Sequence, residues 1–77
     1  MDRMNDRITI NPQVLGGKPI IRGTRISVEF VVGLLAADWT IEDVLDEYDH
    51  LTREDIAACL AYAHQLLMDE KLYPVPV

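Results

Sequence analysis

The chain has 77 residues, a formal net charge of −6 and a single cysteine, Cys59. This length makes one domain near the lower size limit for independent folding, and such domains often depend on a disulfide, a metal or a second subunit. One cysteine excludes an internal disulfide, and His50 and His64 are too few and too far apart for a zinc site. We therefore expect association as a homodimer, with Cys59 packed as a small apolar residue.

Hydropathy and charge exclude several further classes of protein. Hydrophobic residues make up 49% of the chain, which is typical of a globular protein. No run of about 18 apolar residues is present to span a membrane, and the N-terminus lacks the apolar segment of a secretion signal, so we expect a cytoplasmic protein. The negative net charge argues against general nucleic-acid binding, which requires cations to displace phosphate counterions.

The charges are distributed unevenly along the chain. Residues 16–27 contain three cations, Lys18, Arg22 and Arg25, and no acid, whereas residues 38–55 contain eight carboxylates and one arginine, a net charge of −7. A molecule with one cationic and one strongly acidic region suits a protein partner, or its own copy, of complementary charge.

The first third of the chain, residues 8–27, is predicted to form a small β-element of three short strands. Ile8-Thr9-Ile10 alternates in polarity like a strand, and Asn11-Pro12 interrupts it. Residues 20–26 then read as a β-hairpin with a type II′ turn, because Gly23 accepts the positive φ of the first central position.

This predicted hairpin places two arginines opposite each other. Arg22 faces Arg25 across the strands, and Ile21 faces Ile26 on the other side. Like charges directly opposite are destabilising, so the pair is a candidate anion-binding site, with Lys18 beside it. The alternative is that both arginines extend into water or pair with this chain's own carboxylates.

Three helices are predicted after the β-element. Ser27 caps a first helix over residues 28–37, which is apolar nearly all round and must be buried in the core or at a subunit interface. Gly33 in its interior costs about 1 kcal/mol relative to Ala, which a close helix crossing would explain. Capping patterns at Thr40 and Thr52 open a short second helix and a third that runs to about Leu72.

The predicted fold class is therefore mainly α: a small three-helix bundle of helix-turn-helix outline with a short N-terminal β-hairpin element. Residues 1–77 form a single domain, with the β-element at 8–27, the bundle at 28–72 and an extended tail at 73–77. Residues 1–7 are polar, and we expect them to be frayed.

The helix-turn-helix outline does not predict a DNA reader, because the N-terminus of the third helix carries Glu54 and Asp55 beside Arg53. DNA contacts, if made, fall to the cations of the hairpin. No nucleophile–base grouping or phosphate loop is suggested by spacing, and Asp43 and Glu47 are explained by a solvated helix face. We expect no enzymatic activity, no metal and no cofactor.

Four stretches carry a family resemblance: Ile10-Asn11-Pro12, GGKPIIRGTRISV, DWTIEDVLDEY and LTREDIAACLAYA. Together they resemble the prokaryotic family known as domain of unknown function 433 over residues 8–67. The resemblance implies a homeodomain-like three-helix bundle, usually a homodimer. It also implies an antitoxin role similar to the VapB class, with a PIN-like ribonuclease toxin as partner. One departure lies at Trp39, near which many relatives have glycine.

Three functions remain open from the sequence. The first is an antitoxin that binds and inhibits a ribonuclease, with Lys18, Arg22 and Arg25 blocking the acidic active site, and that represses its own operon. The second is a DNA-binding transcriptional regulator. The third is a structural homodimer module with no site of its own.

Overall fold

The computed structural model describes residues 6–69, which form one unit of three helices and a two-stranded antiparallel sheet. The predicted fold class, a mainly helical bundle with an N-terminal β-hairpin, is confirmed. The expectations for residues 1–5, for the end of the third helix beyond Asp69 and for the tail at 73–77 lie outside the described residues.

The sheet consists of β1 (Ile8–Ile10) and β2 (Pro19–Ile21), with Ile8 opposite Ile21 and Ile10 opposite Pro19. The third predicted strand is reduced to a single bridge between Ile20 and Ser27. Such a small sheet is not stable by itself, so it depends on packing against the helices.

The turn after β2 differs from the predicted type II′ turn. The Thr24 N–H donates to the Ile21 carbonyl at 3.0 Å, so Arg22 and Gly23 are the central residues, and Gly23 has its positive φ of 81° at the second central position. The Thr24 hydroxyl donates to the Ile21 carbonyl and accepts from the Ile26 N–H, and it thereby closes this wider turn. The pairing of Ile21 with Ile26 is confirmed by a 2.9 Å backbone hydrogen bond.

The strands are joined by residues 11–18, which contain a tight 3₁₀ turn at Leu15–Gly17. All three residues of this turn have positive φ, including Leu15 at 51°. Left-handed backbone costs a non-glycine residue about 1–2 kcal/mol. Leu15 is also 43% exposed, so burial in this chain does not offset that cost.

The helices are α1 (Val28–Ala36), α2 (Ile41–Glu47) and α3 (Arg53–Asp69). All three predicted N-terminal caps are present. The Ser27 hydroxyl accepts from the Phe30 N–H at 2.9 Å, and Thr40 forms a reciprocal capping box with Asp43. Among residues 6–69, no helix is both long and apolar enough to cross a membrane.

Helix α1 ends in a Schellman motif. The Trp39 N–H donates to the Leu34 carbonyl and the Asp38 N–H to the Leu35 carbonyl, each at 3.1 Å. Asp38 occupies the left-handed position of this motif, with φ of 77°, where glycine is the usual residue. The predicted end of the helix at Asp38-Trp39 is thus confirmed, and an acidic residue adopts the glycine-like conformation.

A partly buried ion pair connects the N-terminal segment to α3. Arg7 donates from Nη1 to Asp55 Oδ1 at 3.0 Å. The other oxygen of Asp55 accepts from the Thr52 N–H at 3.0 Å, and the Asp55 N–H donates to the Thr52 hydroxyl at 3.1 Å. The carboxylate of the predicted capping box at Thr52 therefore also binds a cation from the N-terminal segment. The expectation that residues 1–7 are frayed is wrong for Arg7.

The core lies where the sheet and all three helices meet. Its buried apolar side chains are contributed by both strands, all three helices and the connection before α3: Ile8, Ile21, Val28, Val31, Val44, Leu51, Ile56, Ala58 and Cys59. Burial, followed by the nearby charge of Asp55, raises the pKa of the Cys59 thiol to about 11. Cys59 is therefore a packed, unreactive side chain, as predicted.

Candidate partner-binding site

The three predicted cations lie on different parts of the β-element surface. Lys18, directly before β2, donates to Glu29 Oε1 in the first turn of α1 at 2.8 Å. This hydrogen bond and the Lys18 charge lower the pKa of Glu29. Both side chains are more than half exposed, so the pair is a weak surface contact that a stronger anion can displace.

Arg22 is held by the N-terminal segment. Its Nε donates to the Asp6 carbonyl at 2.8 Å, and its backbone N–H donates to the Arg7 carbonyl at 2.7 Å. The predicted arrangement in which Arg22 faces Arg25 across two strands is wrong, because Arg22 lies inside the turn that Thr24 closes. The two arginines are therefore not a cross-strand pair.

Arg25 lines a cleft of about 450 Å³ at the N-terminal end of α1. We call this the Arg25 cleft, and its lining residues come from the 3₁₀ turn, the connection after β2 and α1: Leu15, Lys18, Arg25, Ile26, Ser27 and Phe30. Arg25 is exposed, and the three ion pairs formed among residues 6–69 do not include it. The structure thus brings Lys18 and Arg25 together and leaves Arg22 outside the cleft.

Two large apolar side chains form the walls of the Arg25 cleft. Phe30 is 43% exposed although its ring packs edge-on against Tyr48, with the ring centroids 5.7 Å apart. Leu15 is exposed to the same extent on a left-handed backbone. Strained residues that the chain's own packing does not explain are concentrated at ligand-binding positions. A cation between two exposed apolar walls suits a partner surface that combines a carboxylate with apolar groups.

In the acidic region, residues 38–55, two carboxylates are paired with arginines. Arg53, at the start of α3, pairs with Glu42 of α2, and this hydrogen bond lowers the pKa of the Glu42 carboxyl. Asp55 is occupied by Arg7. Within residues 6–69, no group of three or more His, Cys, Asp or Glu side chains is placed to hold a metal ion. The N-terminus of α3 thus offers no unpaired cation to a DNA groove among these residues.

The cations of this surface can be predicted from the sequence, but its apolar walls cannot. The sequence places Phe30 in an apolar helix, but its exposure depends on where α1 packs. Leu15 precedes two glycines, which indicated a turn, but a left-handed leucine has no local sequence signal. The partner of Lys18 is the acid that follows the cationic stretch, Glu29, and the two meet because β2 and α1 pack side by side.

The fold and the cleft define a class: a small three-helix protein with an N-terminal β-hairpin and a mixed cationic and apolar surface at their junction. The chain belongs to the family described as Protein of unknown function (DUF433), whose model matches residues 8–63. The family resemblance seen in the sequence is therefore confirmed.

Two relatives illustrate this membership. A crystal structure of a DUF433 member protein from Anabaena variabilis is 33% identical, with a TM-score of 0.77 over 88% of this chain and 69% of that chain. The uncharacterized protein y4eO of Sinorhizobium fredii is 38% identical over 56 residues, which are 73% of this chain. The matched part covers 25% of y4eO, so the chain spans about a quarter of that relative.

Proposed function

We propose that this protein is an antitoxin-like binding protein that neutralises a PIN-like ribonuclease by placing Arg25 in its acidic active site. The observation that carries the proposal is an exposed guanidinium, without a carboxylate partner among residues 6–69, between two exposed apolar walls. The antitoxin role is the one implied by the family resemblance of the sequence.

The chemistry of the two surfaces is complementary. A PIN-type active site is a cluster of carboxylates that binds divalent metal. An arginine suits such a cluster because its planar guanidinium donates two parallel hydrogen bonds to a carboxylate and remains charged at every physiological pH. Leu15 and Phe30 supply the apolar area that excludes water around this contact, which strengthens it.

The other two cations have supporting roles in this proposal. Arg22 already uses Nε for the Asp6 carbonyl, which leaves its two terminal nitrogens for a two-pronged contact with a carboxylate. Lys18 must release Glu29 before it can bind an acid of the toxin. We therefore rank Arg25 first, Arg22 second and Lys18 third in their contribution to inhibition.

The experiment is co-expression with the product of the neighbouring small open reading frame, followed by pull-down and an RNA-cleavage assay. The expected result is a stoichiometric complex whose formation silences cleavage. The double variant Arg22→Ala/Arg25→Ala should restore cleavage, whereas Arg53→Ala, which removes a cation already paired with Glu42, should leave inhibition intact. Unchanged inhibition by the double variant would remove these arginines from the mechanism, and absence of any complex would refute the antitoxin role.

Repression of its own operon is the second candidate function. The supporting observation is that Arg53 is engaged by Glu42, so phosphate contacts fall to Lys18, Arg22 and Arg25 of the β-element. Binding to the upstream DNA should then weaken steeply with salt, because each phosphate contact releases counterions. A fluorescence-anisotropy titration that detects no binding even at about 50 mM salt would refute this function.

A further inference from the structure

The Arg25 cleft adjoins a second cleft of about 430 Å³, which we call the Glu29 cleft. Lys18, Ser27 and Phe30 line both clefts. The remaining lining residues of the Glu29 cleft are Glu29, Gly33 and Leu34. The two clefts therefore meet at three shared side chains, and together they can hold a ligand that has a charged part and a flat apolar part.

The Arg25 cleft has the groups that hold a phosphate. Arg25 has no carboxylate partner among residues 6–69, and Lys18 is held only in its exposed pair with Glu29. The N-terminal end of α1 adds the positive end of a helix dipole. Its cap, Ser27, is buried, and the hydroxyl accepts from the Phe30 N–H but donates to no acceptor within that range. Cations, a free hydroxyl proton and a helix N-terminus together suit a phosphate better than a single carboxylate.

The border between the clefts has a surface on which a flat ring can stack. Phe30 is 43% exposed, and its ring packs only edge-on against Tyr48. Gly33 follows three positions later, so it lies beside Phe30 on the surface of α1. A Cβ atom built on Gly33 meets nothing within 4 Å, so the close helix crossing expected from the sequence is absent from the described residues and the space there is open. An exposed aromatic ring beside cations is how proteins bind unpaired nucleotide bases.

The charge distribution limits the size of such a ligand. The net charge of −6 disfavours a long polyanion lying across the molecule. The acidic stretch 38–55 lines neither cleft, however, and the one acid that does, Glu29, is paired with Lys18. A single phosphate therefore contacts only the local cationic surface.

We propose that the joined clefts bind one nucleotide, with its phosphate between Arg25 and Lys18 and its base stacked on Phe30 over Gly33. The ligand is a free nucleoside monophosphate or an unpaired nucleotide of RNA, which present the same chemistry. The inference goes beyond the inhibition of a ribonuclease, because it needs no partner protein. A phosphate on Arg25 also excludes a carboxylate from the same guanidinium, so the nucleotide and an acidic partner compete for this cleft.

The experiment is an NMR titration of the full chain with AMP, without any ribonuclease, so its outcome is separate from that of the inhibition assay. AMP should bind with a Kd of about 0.1–1 mM, as fits an exposed site with few contacts. Ribose 5-phosphate and adenosine, which each lack one part, should bind at least about ten-fold more weakly. Tighter binding of a short single-stranded oligoadenylate would assign the site to RNA, and equal binding would assign it to the free nucleotide. The same oligoadenylate paired with its complement should bind more weakly, because its bases are stacked in the duplex.

Two variants separate the phosphate contact from the base contact. Arg25→Ala should weaken both AMP and ribose 5-phosphate at least about five-fold, as expected when a charged hydrogen bond is lost. Arg22→Ala is the matched control, because it removes the same charge from the β-element outside both clefts. Gly33→Leu fills the space for the base and favours the helix, so it should weaken AMP but not ribose 5-phosphate.

A third variant should gain affinity, which a folding defect does not produce. Glu29→Gln releases Lys18 and should tighten AMP binding, whereas Glu54→Gln makes the same charge change on α3 and should not. Three results would each overturn the proposal: no binding of AMP at millimolar concentration, equal weakening by Arg22→Ala and Arg25→Ala, or AMP binding no tighter than that of ribose 5-phosphate. Equal loss of both ligands in Gly33→Leu would overturn the position of the base.

Discussion

Replacing Asp38 by glycine should stabilise this protein, although it removes a side chain and adds backbone freedom. Asp38 holds the left-handed position that closes α1, with φ of 77°. That conformation costs a non-glycine residue about 1–2 kcal/mol, and less for aspartate, which tolerates it better. Its side chain is exposed, so the substitution loses no buried contact.

Two further contributions determine how much Asp38→Gly changes the free energy of unfolding. A negative charge at a helix C-terminus is unfavourable by about 0.3–1 kcal/mol, and glycine removes it. Against this, glycine increases the entropy of the unfolded chain, which costs about 0.4–1 kcal/mol. We expect a net gain of about 0.5–1 kcal/mol in the free energy of unfolding, since relief of the left-handed backbone dominates. For a domain of this size, that gain raises Tm by roughly 2–8 °C.

Thermal and urea unfolding followed by circular dichroism provide the assay. Asp38→Asn removes the charge and keeps a residue tolerant of the left-handed region, so it should gain less than Asp38→Gly. Asp38→Ala should gain least of the three. Asp46→Asn removes an exposed charge from the last turn of α2 and controls for the helix-dipole effect. An alanine variant as stable as the glycine variant would show that backbone strain does not govern this site.

Three other predictions follow from the ion pairs and the buried thiol. Asp55→Asn should lower the free energy of unfolding by about 1–3 kcal/mol in urea melts, because Arg7 loses a carboxylate partner and the α3 cap is weakened. Stability should also fall between pH 9 and pH 11, since the Cys59 thiol, with its folded pKa of about 11, ionises first in the unfolded chain. The Glu29 carboxyl should titrate by NMR below its ordinary pKa, and Lys18→Met should raise that pKa towards normal. The small stabilisation from this surface pair should be lost as the pH falls through the lowered pKa of Glu29.

Each of these three predictions has its own control variant. Arg7→Ala combined with Asp55→Asn in a double-mutant cycle isolates the ion pair from the cap, and additive effects would contradict the coupling. The alkaline loss should be smaller in Cys59→Ala, and an identical loss in both proteins would assign it to other groups. Lys18→Arg should keep the pKa of Glu29 low, and a Glu29 carboxyl unaffected by Lys18→Met would show that the pair does not form in solution.

The helices could be predicted from the sequence because their signals are local. Ser27, Thr40 and Thr52 each lie within three residues of the backbone group that they cap, so chain geometry alone brings the atoms together. The first strand was predicted for the same reason, since its alternation of polarity is read over three residues. The end of α1 was also placed correctly, because both of its closing hydrogen bonds are local.

The parts that could not be predicted depend on tertiary placement or on competition between similar turns. The turn after β2 lies one residue earlier than predicted, because the hydroxyl of Thr24 closes a wider loop than Gly23 alone requires. The candidate site was predicted as three cations, but the packing of α1 decides that Lys18 meets Glu29 and that Arg25 borders a cleft. Gly33 indicated a close crossing that no described part of this chain supplies.

The contact between Arg7 and Asp55 also bears on the order in which the elements fold. Helical bundles fold fast because their contacts are local, but this pair closes a loop of 48 positions. The entropy of that closure must be offset before the pair contributes, so we expect β1 to dock after α2 and α3 have formed. Because one carboxylate caps α3 and also holds the N-terminal segment, release of that segment weakens the start of the longest helix. The N-terminal segment and the start of α3 therefore unfold as one cooperative unit, and a change near Arg7 is transmitted to α3.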